Sequence, residues 1–355
     1  MKSVSPVSLL HRLHAWWEHR VLWEPKAWIQ VEVTTACNAA CTYCPRTVYR
    51  SRWHNRFLPL SLYRRLLPAF AKTELVYLQG WGEPLLHPDL PAMVALAKQA
   101  GARVGTTTNG MRLDAPLAEK LINAGLDLMA FSLAGAGTAD NDRFRAGTAM
   151  ETVLANIAML ADIKKRLGTR TPAIHIAYLM PASGMAELEA LPSRLQGTAV
   201  EEVVVSLLDF TPDDDRLKAE VVNLDDPARR ATLASLFERV HAAGQAAGIT
   251  IHTPFPGDST METVCTENIQ QALCVSADGE ISPCMPANLP LTDVHHLIDG
   301  CRRPYRRLTF GNIGVDWLPV IWRRPAYVRF RAAHAQGVIP APCAGCAKLR
   351  RLPRT

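Results

Sequence analysis

Apolar runs of strand length alternate with stretches of helical period along most of the chain. Strand-like runs fall at 29–34, 75–79, 103–108, 127–133, 173–179 and 202–208. Helical periodicity falls at 61–70, 88–100, 116–124, 150–166, 186–195 and 227–247. This repeated β/α unit predicts parallel strands joined by right-handed crossovers. The fold class is α/β, as a partial (β/α)6 barrel or an open doubly wound sheet. A further strand is predicted at 249–253, leading into a cysteine-bearing tail. Residues 209–226 (DFTPDDDRLKAEVVNLDD) are acidic and contain proline, which predicts a surface loop or hinge. Within 8–23, Leu9, Leu10, Leu13, Trp16, Trp17 and Val21 form an apolar stripe at helical spacing. The stripe predicts a helix docked on the main domain, with a membrane-surface helix as the alternative.

Residues of unusual chemistry follow the strands. A cysteine run comes after the first. Gly80, Gly82, Glu83 and Pro84 come after the second, and Asn109-Gly110 ends the third. Ser132, Ala134 and Gly135 end the fourth, and Met180-Pro181 the fifth. Active sites of β/α folds gather at the carboxyl ends of strands, so this edge is the expected site.

A length of 355 residues with 48% hydrophobic positions suffices for one large domain and a smaller appended one. No run approaches the roughly 20 apolar residues of a membrane span. No secretory signal is recognisable, so a cytoplasmic location is expected. The nine cysteines are odd in number and clustered, which argues for metal binding over a disulfide framework. The net charge of +6 is mild, and its late arginines (Arg302, Arg303, Arg306, Arg307, Arg323, Arg324) predict a solvated basic face. An anionic substrate or acidic protein partner fits such a face. No nucleic-acid-binding motif is present, and no nucleic-acid partner is expected.

Residues 36–46 read ACNAACTYCPR, with the spacing Cys37-x3-Cys41-x2-Cys44. Three thiolates in one tight loop can hold three irons of a [4Fe–4S] cube and leave the fourth iron open. Zinc is the competing metal, but a closed tetrahedral site requires four ligands. This spacing, with Tyr43 before the last cysteine and a strand before the first, resembles the defining motif of the radical S-adenosylmethionine (radical SAM) superfamily. The resemblance implies a TIM-like partial barrel, a cluster on Cys37, Cys41 and Cys44, and S-adenosylmethionine chelating the open iron. It implies further contacts residue by residue. Gly80, Gly82, Glu83 and Pro84 resemble the loop that meets the methionine amino group. Asn109 and Ser132 resemble ribose contacts, Arg145 within 141–147 a carboxylate contact, and Tyr43 an adenine contact. An electron donor such as flavodoxin or ferredoxin is implied as a partner.

Cys265 is followed by thirteen residues, Gly279, four residues and Cys284. Residues 273–284 (LCVSADGEISPC) predict a hairpin turning at Asp278-Gly279. Gly311-Asn312-Ile313, an amphipathic stretch at 315–334 and Cys343-x2-Cys346 follow. This order resembles the SPASM/Twitch auxiliary-cluster domains and implies a second [4Fe–4S] cluster on Cys265, Cys284, Cys343 and Cys346. A full SPASM domain continues with further cysteines, so the resemblance points to one auxiliary cluster, as in the Twitch type. Cys274 is an alternative to Cys265, and a structural zinc is the alternative metal. The expected organisation is an N-terminal segment 1–28, a barrel 29–250 and an auxiliary domain 251–355.

The resemblance implies an enzyme that oxidises its substrate, a small molecule or peptide, with the auxiliary cluster accepting an electron. Asp209, His175, Tyr178 and His252 lie near predicted strand ends and are candidate bases. Two other readings stay open: a maturase that crosslinks a ribosomal peptide, and a non-catalytic iron–sulfur or zinc protein. Only 28 residues precede the barrel, fewer than a leader-binding domain of roughly 80 to 100 residues needs, which counts against the maturase.

Overall fold

The computed structural model describes residues 23–222, 226–254, 261–298 and 300–353. The predicted N-terminal helix lies outside them, apart from Trp23. The expected repeat is present. Strands β1 (Lys26–Val31), β2 (Thr73–Leu78), β3 (Arg103–Thr108), β4 (Leu128–Leu133), β5 (Ala173–Leu179) and β6 (Glu202–Ser206) run parallel in sequence order. A two-residue β7 (Thr211–Pro212) follows, and β8 (Thr250–His252) pairs parallel with β6.

Each strand has two different faces because successive side chains alternate. Val104, Met129, Phe131, Ile174 and Ile176 pack with helical residues such as Val94, Leu121, Ile157 and Leu160 in one core. Each such side chain, fully buried, contributes roughly 2 kcal/mol of burial free energy. The opposite face carries Gln30, Tyr77, Gly105, Thr107, Ser132 and His175. Gly105 is needed there, since a Cβ would stand 2.6 Å from the Tyr77 ring. The helices are bounded as their ends dictate. Asp226 caps Pro227–Ala247 by accepting from the Ala228 amide, and left-handed Gly248 ends it. The helix predicted at 61–70 forms instead as two short pieces, Leu60–Arg64 and Leu67–Phe70, because Pro68 lacks the amide that would continue the first.

The C-terminal strands are β9 (Met261–Cys265), β10 (Ala272–Val275), β11 (Glu280–Ser282), β12 (His295–Ile298), β13 (Cys301–Pro304), β14 (Gly311–Asn312) and β15 (Leu349–Pro353). Strand β10 pairs parallel with β1, and β11 and β14 follow antiparallel, so among the described residues ten strands form one sheet. The β10–β11 hairpin turns where expected, with Gly279 at φ +84°. Residues 209–222, the first part of the stretch predicted as a loop, are more than a surface loop. Strand β7 pairs with β12, and the Phe210 ring packs against Trp81, His296 and Tyr305. The acidic composition hid that one aromatic anchor.

Candidate functional site

The Cys37–Cys44 loop leaves β1 and is held by its own backbone and by a strap from 141–147. Ala40 N–H donates to Ala146 C=O (2.6 Å) and Thr42 N–H to Phe144 C=O (2.9 Å). Arg46 closes the loop by donating to Ala39 C=O. Burial pushes the Cys37 thiol up and the Cys44 thiol up to about 12, and the neighbouring thiols add to both shifts. The Cys37 and Cys44 thiols therefore give up their protons more readily to a metal than to water, since a thiol must be deprotonated to ligate.

Glu83, 2% exposed, organises the next two strand ends. Its carboxylate accepts from Thr108 Oγ1 (2.7 Å), the Asn109 amide (2.7 Å) and the Leu85 amide (3.0 Å). Burial still pushes its carboxyl above the ordinary range. Asn109 in turn donates to Asn38 Oδ1 (2.9 Å) and stands 3.8 Å from Cys37 Sγ. Arg145 donates to the Tyr43 hydroxyl (2.6 Å). Gly82 lies against the cysteine loop: a Cβ there would be 2.4 Å from Thr34 O and 2.5 Å from Ala36 O. Gly80 and Pro84 flank this contact, and Pro84 begins a short 3-10 turn. Ser132 is half-buried on the face of β4 away from the helices. Tyr43, Gly82, Glu83, Asn109 and Arg145 are thus tied to one another and to the cysteine loop, whereas Ser132 is placed only on the same face of the sheet, and Glu83 spends its oxygens on the protein.

The C-terminal thiols form a second group. Cys346 raises the Cys265 thiol, Cys346 and Cys265 raise the Cys343 thiol, and Cys284 feels both Cys265 and Cys346. Burial pushes Cys265 up to about 11 and Cys343 up to about 12. Cys274 is buried in β10, with its Sγ 3.5 Å from Gln30 Oε1, and among the thiols of that group Cys284 is the one that chiefly raises it. Lys348 lies beside the group, with Nζ 2.7 Å from Asp209 and 2.9 Å from Glu267.

The sequence profile of the Radical SAM superfamily matches residues 31–191, and that of the SPASM iron–sulfur cluster-binding domain matches 265–347. This chain is a radical SAM protein with a C-terminal SPASM domain. The tungsten-containing aldehyde ferredoxin oxidoreductase cofactor-modifying protein of Pyrococcus furiosus is 26% identical over 329 residues, 90% of this chain and 86% of that one. The crystal structure of Streptococcus suis SuiB bound to S-adenosylmethionine matches with a TM-score of 0.65 at 14% identity, over 98% of this chain and 77% of that one. Native anSMEcpe with bound AdoMet matches at 0.60 and 13% identity, over 85% of this chain and 82% of that one. At such identities the structural likeness shows a shared fold.

A radical SAM domain binds one [4Fe–4S] cluster and S-adenosylmethionine, and a SPASM domain binds auxiliary iron–sulfur clusters. In donor chemistry the residues present fit both groups, although among the described residues no three such side chains already stand together as a closed metal site. The first loop offers three soft donors in one turn, and the second region offers four from three segments, with Cys343 and Cys346 sharing one turn. Arg145 Nε and Trp81 Nε1 are buried with no hydrogen-bond partner among the described residues. A buried donor left alone is costly, and an anionic ligand would complete the guanidinium.

The four candidate bases do not assemble in this radical SAM protein. Tyr178 is packed in the helix-facing core, and burial pushes its hydroxyl far up, which removes it as a base. His175 and His252 share Glu202, at 3.9 and 2.8 Å, near the starts of β5 and β6, away from the carboxyl edge. They miss the site because a strand has two ends and its pattern does not say which residue lies near which. Asp209 does follow a strand end, tied to Lys348. Sequence reasoning missed Glu32, Trp81, Phe210, Tyr305 and Lys348. A glutamate inside an apolar strand run was the available signal for the first.

Proposed function

We propose that this protein takes a hydrogen atom from a small-molecule or peptide substrate and passes the remaining electron to its auxiliary site, a net dehydrogenation. The observation that carries the reading is a chain of ring contacts that runs from the loop of Glu83 to a tyrosine that feels Cys284. Trp81, in the loop that holds Glu83, meets Phe210 at 5.7 Å between ring centroids, and Phe210 meets Tyr305 at 5.7 Å. Tyr305 accepts from the Leu289 amide (2.7 Å) and lies close enough to Cys284 for its hydroxyl to feel that thiol.

Cys37, Cys41 and Cys44 would hold three irons of the first cluster, and Cys265, Cys284, Cys343 and Cys346 would hold the second. When bound, the cluster and S-adenosylmethionine would supply reductive cleavage of the sulfonium C5′–S bond. The protein binds, orients and shields. Arg145 would meet the methionine carboxylate, and Tyr43, held by Arg145, would flank adenine. The Gly80–Pro84 backbone, braced by Glu83, would face the methionine amine. Ser132 and Asn109 would face the ribose. Trp81, Phe210 and Tyr305, packed on the apolar cluster of Leu289, Leu291 and Val294, would shield the reacting groups from water on that side. The substrate proton leaves toward Asp209, the one candidate base at the carboxyl edge.

The P. furiosus relative is named for cofactor modification, which supports a small-molecule substrate. Peptide modification is the second reading, because folds of this kind are solved with the peptides SuiA and Cp18Cys. Incubation with deuterated candidate substrates tests the reaction. Deuterium should appear in 5′-deoxyadenosine, together with a product two hydrogens lighter. Cys343→Ala should keep cleavage of S-adenosylmethionine and lose that product; normal product from Cys343→Ala would remove the auxiliary site from the reaction.

A further inference from the structure

Glu32 follows β1 directly and is wholly enclosed, with 0% exposure. Its two oxygens serve two different loops. Oε1 accepts from the Trp81 amide (2.8 Å), in the loop that carries Glu83. Oε2 accepts from the Ala277 amide (3.1 Å), in the hairpin turn that leads to Cys284. Its own amide donates to Val275 C=O (2.8 Å) at the end of β10. Space is made for this carboxylate by Gly80. A Cβ at that position would stand 2.2 Å from Glu32 Cγ and 2.6 Å from Oε1. Gly80 therefore has a structural duty besides any contact with the cofactor.

The far side of the hairpin turn is clamped as well. Asp278 takes Arg307 at 2.7 and 2.8 Å, and Ser276 takes the same guanidinium at 3.0 Å. Asp278 and Arg307 are the charged groups that bear on Glu32 from this side. The turn is thus rigid with respect to its own domain, and Glu32 is the direct hydrogen-bonded strut from it to the Trp81 loop. A buried carboxylate with one donor on each oxygen has no slack. A displacement of either loop must move the other or leave a buried acceptor unpaired, which is costly.

We propose that Glu32 is a positioning residue that couples the S-adenosylmethionine loop to the auxiliary site, so that occupancy of the first is felt at the second. The proposal rests on the reading that both groups of thiols hold clusters. It requires a carboxylate: glutamine of the same size offers one acceptor, and its amide group would face the second N–H.

The test needs no substrate. Anaerobically reconstituted wild type and E32Q are titrated for the auxiliary-cluster midpoint potential, with and without S-adenosylmethionine, and iron is counted first. Wild type should show a shift on binding the cofactor, and E32Q should lose it. By reciprocity, reduction of the auxiliary cluster should change cofactor affinity several-fold in wild type and leave E32Q unchanged. G80A, which crowds the same carboxylate, should behave like E32Q. An equal shift in wild type and E32Q, or no shift in wild type, overturns the coupling. A lowered melting temperature with the shift intact reduces Glu32 to a packing role and overturns it equally. If E32Q fails to load iron, E32D decides: its shorter arm cannot span both amides, and a wild-type shift in E32D overturns the proposal. About four irons in wild type, all on the first loop, would instead sink the two-cluster reading itself.

Discussion

Two buried glutamates and a half-buried lysine show how little of a side chain's task is written in its type. Glu83 accepts three hydrogen bonds and so shapes the strand ends; Glu32 joins two loops; Lys348 joins Asp209 to Glu267. Burial pushes the Glu32 carboxyl from 4.5 up to about 7. The folded protein therefore holds that proton in a window where the unfolded chain has released it. Stability should fall as pH rises from about 4.5 to 7, and Glu32→Gln should remove that component of the slope. Denaturant unfolding of both proteins at several pH values within that window measures the difference. Lys348 is the opposite case, a cation whose removal leaves two largely buried carboxylates facing each other. Lys348→Met should cost about 3 kcal/mol in the same unfolding experiment, while Asp209→Asn, which leaves the Glu267 partner, should cost less.

At the scale of elements, regular structure was easier to read than the segments that carry chemistry. The runs at 103–108 and 173–179 match β3 and β5, and the period at 227–247 matches its helix, because alternation and helical period are local properties. Apart from the candidate base Asp209, the sequence of 209–226 offers only acidity and proline as signals. Its part in the site comes from Phe210, which meets rings from three distant segments. The Gly80–Pro84 loop is legible as a motif, but its shape depends on contact with the cysteine loop. Gly82→Ala should drive a methyl into the Thr34–Ala36 backbone, destabilise the fold by about 2 kcal/mol and abolish S-adenosylmethionine binding. Equilibrium binding on the reconstituted protein checks the second outcome and thermal unfolding the first.

For the whole molecule, the continuity of the sheet matters most. Strand β10 lies directly against β1, so the hairpin carrying Cys284 and the loop carrying Cys37 grow from neighbouring strands. The two groups of thiols are thereby set on one scaffold. Reconstituted protein should hold about eight irons per chain, and replacing Cys37, Cys41 and Cys44 together by alanine should leave about four. That triple variant should form no 5′-deoxyadenosine under strong reductant; retained formation would refute the assignment of the first loop. Iron analysis and chromatography of the quenched reaction read both outcomes.

From the chain alone came the repeated β/α order, the spacing of both cysteine groups and the turn at Asp278-Gly279. Each depends on residues close together along the chain or on a spacing that can be counted. Which face of a strand looks toward the site, and which end of it, needed the folded sheet. Tyr178 points into the core and His175 sits near a strand start, although both had looked like strand-end candidates. The pairing of β10 with β1, the Trp81–Phe210–Tyr305 ring contacts and the bridge through Glu32 likewise belong to tertiary structure. They join residues separated by about 50 to 245 positions, and no local pattern encodes a contact that exists only once the sheet has closed.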